Sequence, residues 1–166
     1  MPVQILFICL GNICRSPTAE GIMNTLLEQQ GLSEQIRCDS AGTSAYHNGE
    51  APDARMSEHA LKRGYKLGGR SRRFRALVDF EAFDYIITMD DANYSNVLAM
   101  DSKNQYFSKI FKMTDFCRHH VMSEVPDPYF GGNEGFEVVI NLLEDACRGL
   151  LEKVLNEHGI ANPQTD

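Results

Sequence analysis

Val3-Gln4-Ile5-Leu6-Phe7-Ile8 is an almost unbroken apolar run rich in β-formers. A strand that does not alternate apolar with polar residues is one covered on both faces. Such strands belong to parallel sheets, whose crossover connections place helices on either side. The next residues read as one of those connections. Gly11 and Asn12 both tolerate positive φ and break the run into a tight loop. Ser16 stands where an N-cap is expected, with Pro17 at the first helical position. Ala19, Ile22, Met23, Leu26 and Leu27 then repeat on one helical face, and Gly31 takes the usual C-terminal place.

The rest of the chain repeats this alternation. Ile36 to Ser40 reads as a second strand, 42–53 as a long loop, and Ala54 to Arg63 as a helix closed by Gly64. Residues 66–75 are irregular and basic. Phe83 to Met89 reads as a third strand, with Asp90 and Asp91 opening a helix that holds Val97 and Leu98. Lys109 to Met113 is a fourth strand and 121–132 a loop. Phe136, Val139, Ile140, Leu143, Ala146, Cys147, Leu150, Leu151 and Val154 trace the buried face of a long closing helix. The expectation is an α/β fold: one three-layer domain over 1–157, a four-stranded parallel sheet with helices on both faces, and a frayed polar tail at 158–166. No internal repeat, linker or second domain is evident.

A chain of 166 residues is long enough for one real core. Its net charge of −7 argues against nucleic acid as a partner, and an anionic ligand would have to be drawn in locally against the protein's own field. No apolar run reaches the length of a membrane span, and the N-terminus has neither the basic start nor the small-residue cleavage site of a signal peptide. A cytoplasmic location without membrane attachment is the expectation. Five cysteines match no disulfide framework, which suits reduced thiols. The histidines show no ligand spacing, His119-His120 reads as surface, and no metal or cofactor is expected.

Parallel sheets gather ligands at the C-terminal ends of their strands. Cys9 lies at such an end, and residues 10–15 wrap toward a helix N-terminus. Its thiol could serve a disulfide, a metal, the core, or nucleophilic attack on a bound anion. Backbone N–H groups in such a loop form an anion-sized nest, to which the helix dipole adds partial positive charge. Arg15 offers a planar fork for two phosphate oxygens. A thiol in that ring is expected as the thiolate. The loop lacks the Gly-Lys-Ser/Thr of a Walker motif and the G-x-G-x-x-G of a dinucleotide site, and two thiols five apart do not make a zinc site. A thiolate in a phosphate-sized cradle implies attack on phosphorus.

Cys9-Leu-Gly-Asn-Ile-Cys-Arg15-Ser16-Pro17 resembles the signature of the low-molecular-weight protein tyrosine phosphatases. The likeness continues through Asp39-Ser40-Ala41, Phe83-Asp84-Tyr85-Ile86, Met89-Asp90 and Asp127-Pro128-Tyr129. It implies a phosphotyrosine phosphatase I-like fold and hydrolysis of protein phosphotyrosine through a phosphocysteine on Cys9. Arg15 would bind the phosphate, and Asp127 would act as general acid and then base. Leu10, Gly11, Asn12, Ile13 and Cys14 would line the loop, with inorganic phosphate or a similar oxyanion as its ligand. Ser16 would donate to the Cys9 thiolate, Asn12 would hold the strained turn near Ser40, and Tyr46, Tyr129 and Phe130 would flank the substrate ring.

Many relatives carry a second tyrosine at Phe130, and a histidine near Gly69-Arg70 that supports the loop asparagine; neither is present here, which leaves the support of Asn12 open. Cys14 is either a packed side chain or a reversible disulfide partner of Cys9, while Cys38, Cys117 and Cys147 read as packing residues. Asp90 either orients the active-site wall or caps a helix. Arg70, Arg72, Arg73 and Arg75 form a solvated basic face or attract acidic phosphopeptides. A monomer or weak dimer is expected. Three alternatives have discriminating features. An arsenate reductase needs a cysteine relay after the third strand, where 78–116 hold none. A protein arginine phosphatase typically has threonine in place of Ile13. A non-catalytic phosphate-binding module has no need of Asp127.

Overall fold

The computed structural model describes residues 1–128 and 132–162. Four strands, β1 (Val3–Cys9), β2 (Ile36–Gly42), β3 (Tyr85–Thr88) and β4 (Ile110–Lys112), pair in parallel in the order β2-β1-β3-β4. The helices are α1 (Arg15–Gln29), α2 (Ala54–Lys62), α3 (Ala76–Ala82), α4 (Asp91–Met100) and α5 (Asn133–His158), with short 3₁₀ turns at Phe107–Lys109 and Met113–Phe116. The sheet lies between helices on both faces, as expected.

The central position of β1 explains why its sequence does not alternate. Ile5, Phe7 and Cys9 join the larger core with Ile22, Met23 and Leu27 of α1 and Val139, Ile140 and Leu143 of α5. Leu6 and Ile8 point the other way, into a smaller core with Phe74, Phe80, Phe83 and Val97. Each such side chain buried contributes about 1.5–3 kcal/mol of transfer free energy. The register Cys9↔Gly42 and Ile8↔Thr88 brings the three longest strands to a common C-terminal edge, where the loops open.

Some local expectations change in the folded chain. α1 begins at Arg15, two residues before the Pro17 start that a Ser16 cap implies, and no side chain caps it. Ser16 is instead inside the first turn and fully buried, facing Cys9. α3 carries no signature in the sequence because seven residues are too few to show a helical period. It is started by Asp79, whose side chain accepts from the Arg75 amide (2.7 Å). α5 ends at His158, with Gly159 in the left-handed region. Beyond it Ile160 packs against the larger core and Asn162 donates to the Gln30 side chain at 2.7 Å, while 163–166 lie outside the described residues. Among the described residues no helix is long and apolar enough to cross a membrane.

Candidate active site

Cys9 ends β1 and is almost fully buried. The chain then turns sharply through Asn12, whose φ of 57° lies in the left-handed region that asparagine tolerates. The loop's carbonyls are held from outside. Cys9 O accepts from the Thr43 amide (3.0 Å), Leu10 O from Ser44 (2.9 Å), Ile13 O from Asp53 (2.8 Å), and Gly11 O from the Ser71 hydroxyl (2.9 Å). Because C=O and N–H are antiparallel across a trans peptide, these bonds turn the following N–H groups toward the ring's interior. The Asn12 amide demonstrates it, donating to Cys9 Sγ at 3.3 Å. Gly42 allows β2 to come this close, since a Cβ there would stand 2.7 Å from Leu10 O.

A second donor reaches the sulfur. Ser16 Oγ lies 3.0 Å from Cys9 Sγ and accepts from Asn12 Nδ2 at 2.8 Å. An amide NH₂ only donates, so the Ser16 hydrogen is left for the sulfur. Asn12 Oδ1 in turn accepts from the Arg72 amide (3.0 Å), which sets the orientation of the side-chain amide. This answers the question of what supports Asn12 without a histidine: the Arg72 backbone amide does. Ser40 has a different partner, donating to Glu20 Oε1 at 2.6 Å.

Arg15 is 3% exposed and firmly held. One guanidinium nitrogen, Nη1, donates to Asp90 Oδ2 (2.7 Å) and to the Val125 carbonyl (3.0 Å). Burial alone would lower the Arg15 pKa, but the charges on Cys9 and Asp90 outweigh it and keep the group cationic. Asp90 performs both of its possible roles, since its other oxygen accepts from the Asn93 amide (2.7 Å) in a capping box that opens α4. Val125 is tied to the end of β3 through Met89 O (2.8 Å), which carries the Pro126-Asp127-Pro128 segment over the cleft. There the Asp127 side chain, 38% exposed, stands 3.7 Å from Arg15 Nη2.

A cleft of about 500 Å³ opens above the loop, lined by Cys9, Leu10, Gly11, Ile13, Cys14, Arg15, Tyr46 and Asp127 together with Ser44 and His47. Eight of the residues singled out from the sequence thus meet in one place. Asn12 and Ser16 do not line it and act from behind through the sulfur. Tyr129 and Phe130 lie outside the described residues. Ser44 and His47 were not foreseen. His47 pairs with Glu50 and packs against the Gly11 backbone, where a Cβ would come within 2.8 Å of its ring. Burial, with a further contribution from Asp53, pushes the Cys14 thiol up, so it remains protonated, and all five cysteines are free.

Of the basic run, Arg70, Arg73 and Arg75 are exposed, as a solvated face requires, and Arg70 also donates to Gly49 O. Arg72 departs from it: half-buried, it is anchored to Asp39 (3.1 Å) and Asp79 (3.0 Å).

Glu20 lies behind the loop beside a 50 Å³ cavity lined also by Asn12, Ser40 and Ser71. Burial raises its pKa to about 7, although the Ser40 hydroxyl works against the shift. Between the unfolded value near 4.5 and about 7 the folded state holds the extra proton, so this contribution to stability is full below the lower value and is lost as pH rises through the upper one. Glu20→Gln is expected to gain on the wild type by up to about 3 kcal/mol between pH 4.5 and pH 8. Urea unfolding of both proteins at the two pH values measures it, and a difference that does not change with pH would refute the assignment.

A family model described as low molecular weight phosphotyrosine protein phosphatase matches residues 4–159. The chain belongs to that family. Its members are hydrolases, and low molecular weight phosphatases similar to it align over nearly their whole length. The Synechocystis protein slr0328 is 53% identical over 155 residues, 93% of this chain and 98% of its own. A protein tyrosine phosphatase structure from Entamoeba histolytica, with Hepes in its active site, superposes with a TM-score of 0.88 at 46% identity, covering 96% of this chain and 99% of that one. A Drosophila arginine phosphatase structure also superposes, with a TM-score of 0.83 at 31% identity and coverage of 90% and 96%. The scaffold is therefore shared by relatives named for two different phosphoryl substrates.

Proposed function

We propose that this phosphatase hydrolyses phosphotyrosine in proteins through a phosphocysteine on Cys9. The observation that carries the reading is the opposition within one cleft. Cys9 Sγ lies at the floor with two donors on it, while Arg15 and the Asp127 carboxyl meet above it. In the first step the Cys9 thiolate attacks phosphorus, the bond from phosphorus to the phenolic oxygen breaks, and Asp127 gives its proton to the leaving oxygen. In the second, Asp127 takes a proton from water as that water attacks phosphorus. The P–S bond then breaks, and the electron pair returns to sulfur under the Ser16 and Asn12 donors. Inward N–H groups and Arg15 stabilise the equatorial oxygens throughout.

The aryl preference rests on depth and lining. Sulfur is at the bottom of a cleft flanked by Leu10, Ile13 and the exposed Tyr46, a slot that suits a flat ring and keeps a short phosphoserine arm from reaching the thiol. The nucleophile must stay reduced, which suits the cytoplasm. Cys14 could protect it: peroxide would convert the Cys9 thiolate to sulfenic acid, and the Cys14 thiol would condense with that group, releasing water and forming a disulfide.

The test is steady-state hydrolysis of phosphotyrosine, phosphoserine and phosphoarginine peptides with reductant present. Turnover of the phosphotyrosine peptide is expected to dominate. A preference for phosphoarginine would assign the chain to the other substrate class on this scaffold, and no turnover of any peptide would overturn the hydrolase reading of the cleft.

A further inference from the structure

We propose that Ser71 is a positioning residue for catalysis: its hydroxyl, by holding the Gly11 carbonyl, locks the Gly11–Asn12 peptide with its N–H turned toward Cys9 and the bound phosphate. The two bonds sit at opposite ends of one peptide unit, Ser71 Oγ donating to Gly11 O at 2.9 Å and the Asn12 amide donating to Cys9 Sγ at 3.3 Å. This unit is the one most able to turn over. Turning a peptide over changes ψ of the residue before it and φ of the residue after it: Gly11 has no Cβ to restrict ψ, and Asn12, at φ 57°, would leave the left-handed region for the ordinary negative one. Turned over, it would aim a carbonyl oxygen at the anion instead of a donor. The carbonyls of Cys9, Leu10 and Ile13 are each held by a backbone amide, whichever side chains the neighbouring loop carries. Gly11 O is held by a side chain, so its hold depends on the residue at 71.

Ser71 is placed for this independently of its hydroxyl. It is 5% exposed, its amide donates to Glu50 O and its carbonyl accepts from Gly49, both at 2.8 Å. The next residue is anchored through the Arg72 pairs with Asp39 and Asp79. Removing the hydroxyl therefore leaves the backbone of 71 where it is. The adjoining 50 Å³ cavity offers room for one added methyl group.

The inference rests on the phosphate-loop reading above, and the test separates the two. Ser71→Thr and Ser71→Val have nearly the same shape and differ in the hydroxyl. Inhibition by inorganic phosphate and the kcat and KM for p-nitrophenyl phosphate are measured for both, for wild type and for Ser71→Ala, with thermal midpoints alongside. The Thr variant is expected to match wild type, and the Val and Ala variants to lose about tenfold in phosphate affinity and in kcat/KM, a fraction of what deleting an oxyanion donor itself costs. Should Val not fold, the Ala and Thr variants carry the comparison. Equal phosphate inhibition across all folded variants would overturn the role of Ser71 alone, whereas a wild type that phosphate does not inhibit would overturn the phosphate-loop reading itself.

Discussion

Cys9→Ser is expected to lower kcat on aryl phosphates by roughly 10⁴-fold or more while leaving the fold and the phosphate site in place. The reason lies in the nucleophile. A serine hydroxyl in this position would need a base to remove its proton, and its neighbours are donors: the Asn12 amide at 3.3 Å and the Ser16 hydroxyl at 3.0 Å. They stabilise negative charge on sulfur and take no proton from oxygen. The substitution is nearly isosteric, and the loop carbonyls keep their external partners, so inorganic phosphate should still bind. Turnover, phosphate binding and the thermal midpoint together check this. A folded, phosphate-binding variant that kept activity within tenfold of wild type would remove Cys9 as the nucleophile.

Asp127→Ala is expected to reduce kcat for phenyl phosphate by about 10²–10⁴-fold, the usual range for general acid–base assistance. The loss should be far smaller when the leaving group is so acidic that it departs without a proton. The second step then becomes limiting, because no carboxylate remains to take the proton from water. A rapid-quench experiment with an acidic phenol should show a burst of the phenol near one equivalent, followed by slow turnover, as phosphoenzyme accumulates. Phosphate affinity should hold or improve, since the substitution removes a negative charge 3.7 Å from Arg15 Nη2. Equal losses on both substrates with no burst would sink the assignment of Asp127 to proton transfer.

These two residues were legible because each is announced by its immediate neighbours. The apolar run of β1, the Gly11-Asn12 break and the amphipathic face of α1 are contiguous signals, and they put Cys9 and Arg15 on one loop before any contact is known. Pro126 and Pro128 mark Asp127 in the same way. The Ser16 cap failed for an instructive reason. Serine before proline is a sound local signal for a helix start, but the tertiary demand for a donor to Cys9 drew that hydroxyl away from the helix end.

What the sequence by itself determined is the set of elements that depend on near neighbours: strand, loop, helix, their alternation, and the chemical groups carried on the first loop. Only the tertiary structure decided how that loop is held and aimed. Asp90 reaches Arg15 across 75 residues of chain, Val125 across 110, and Ser71 reaches Gly11 across 60. Most of the grip on the loop comes from the amides of Thr43, Ser44, Asp53 and Arg72. Every residue except proline has the same amide, so no side-chain pattern marks the few that the fold brings against that first loop.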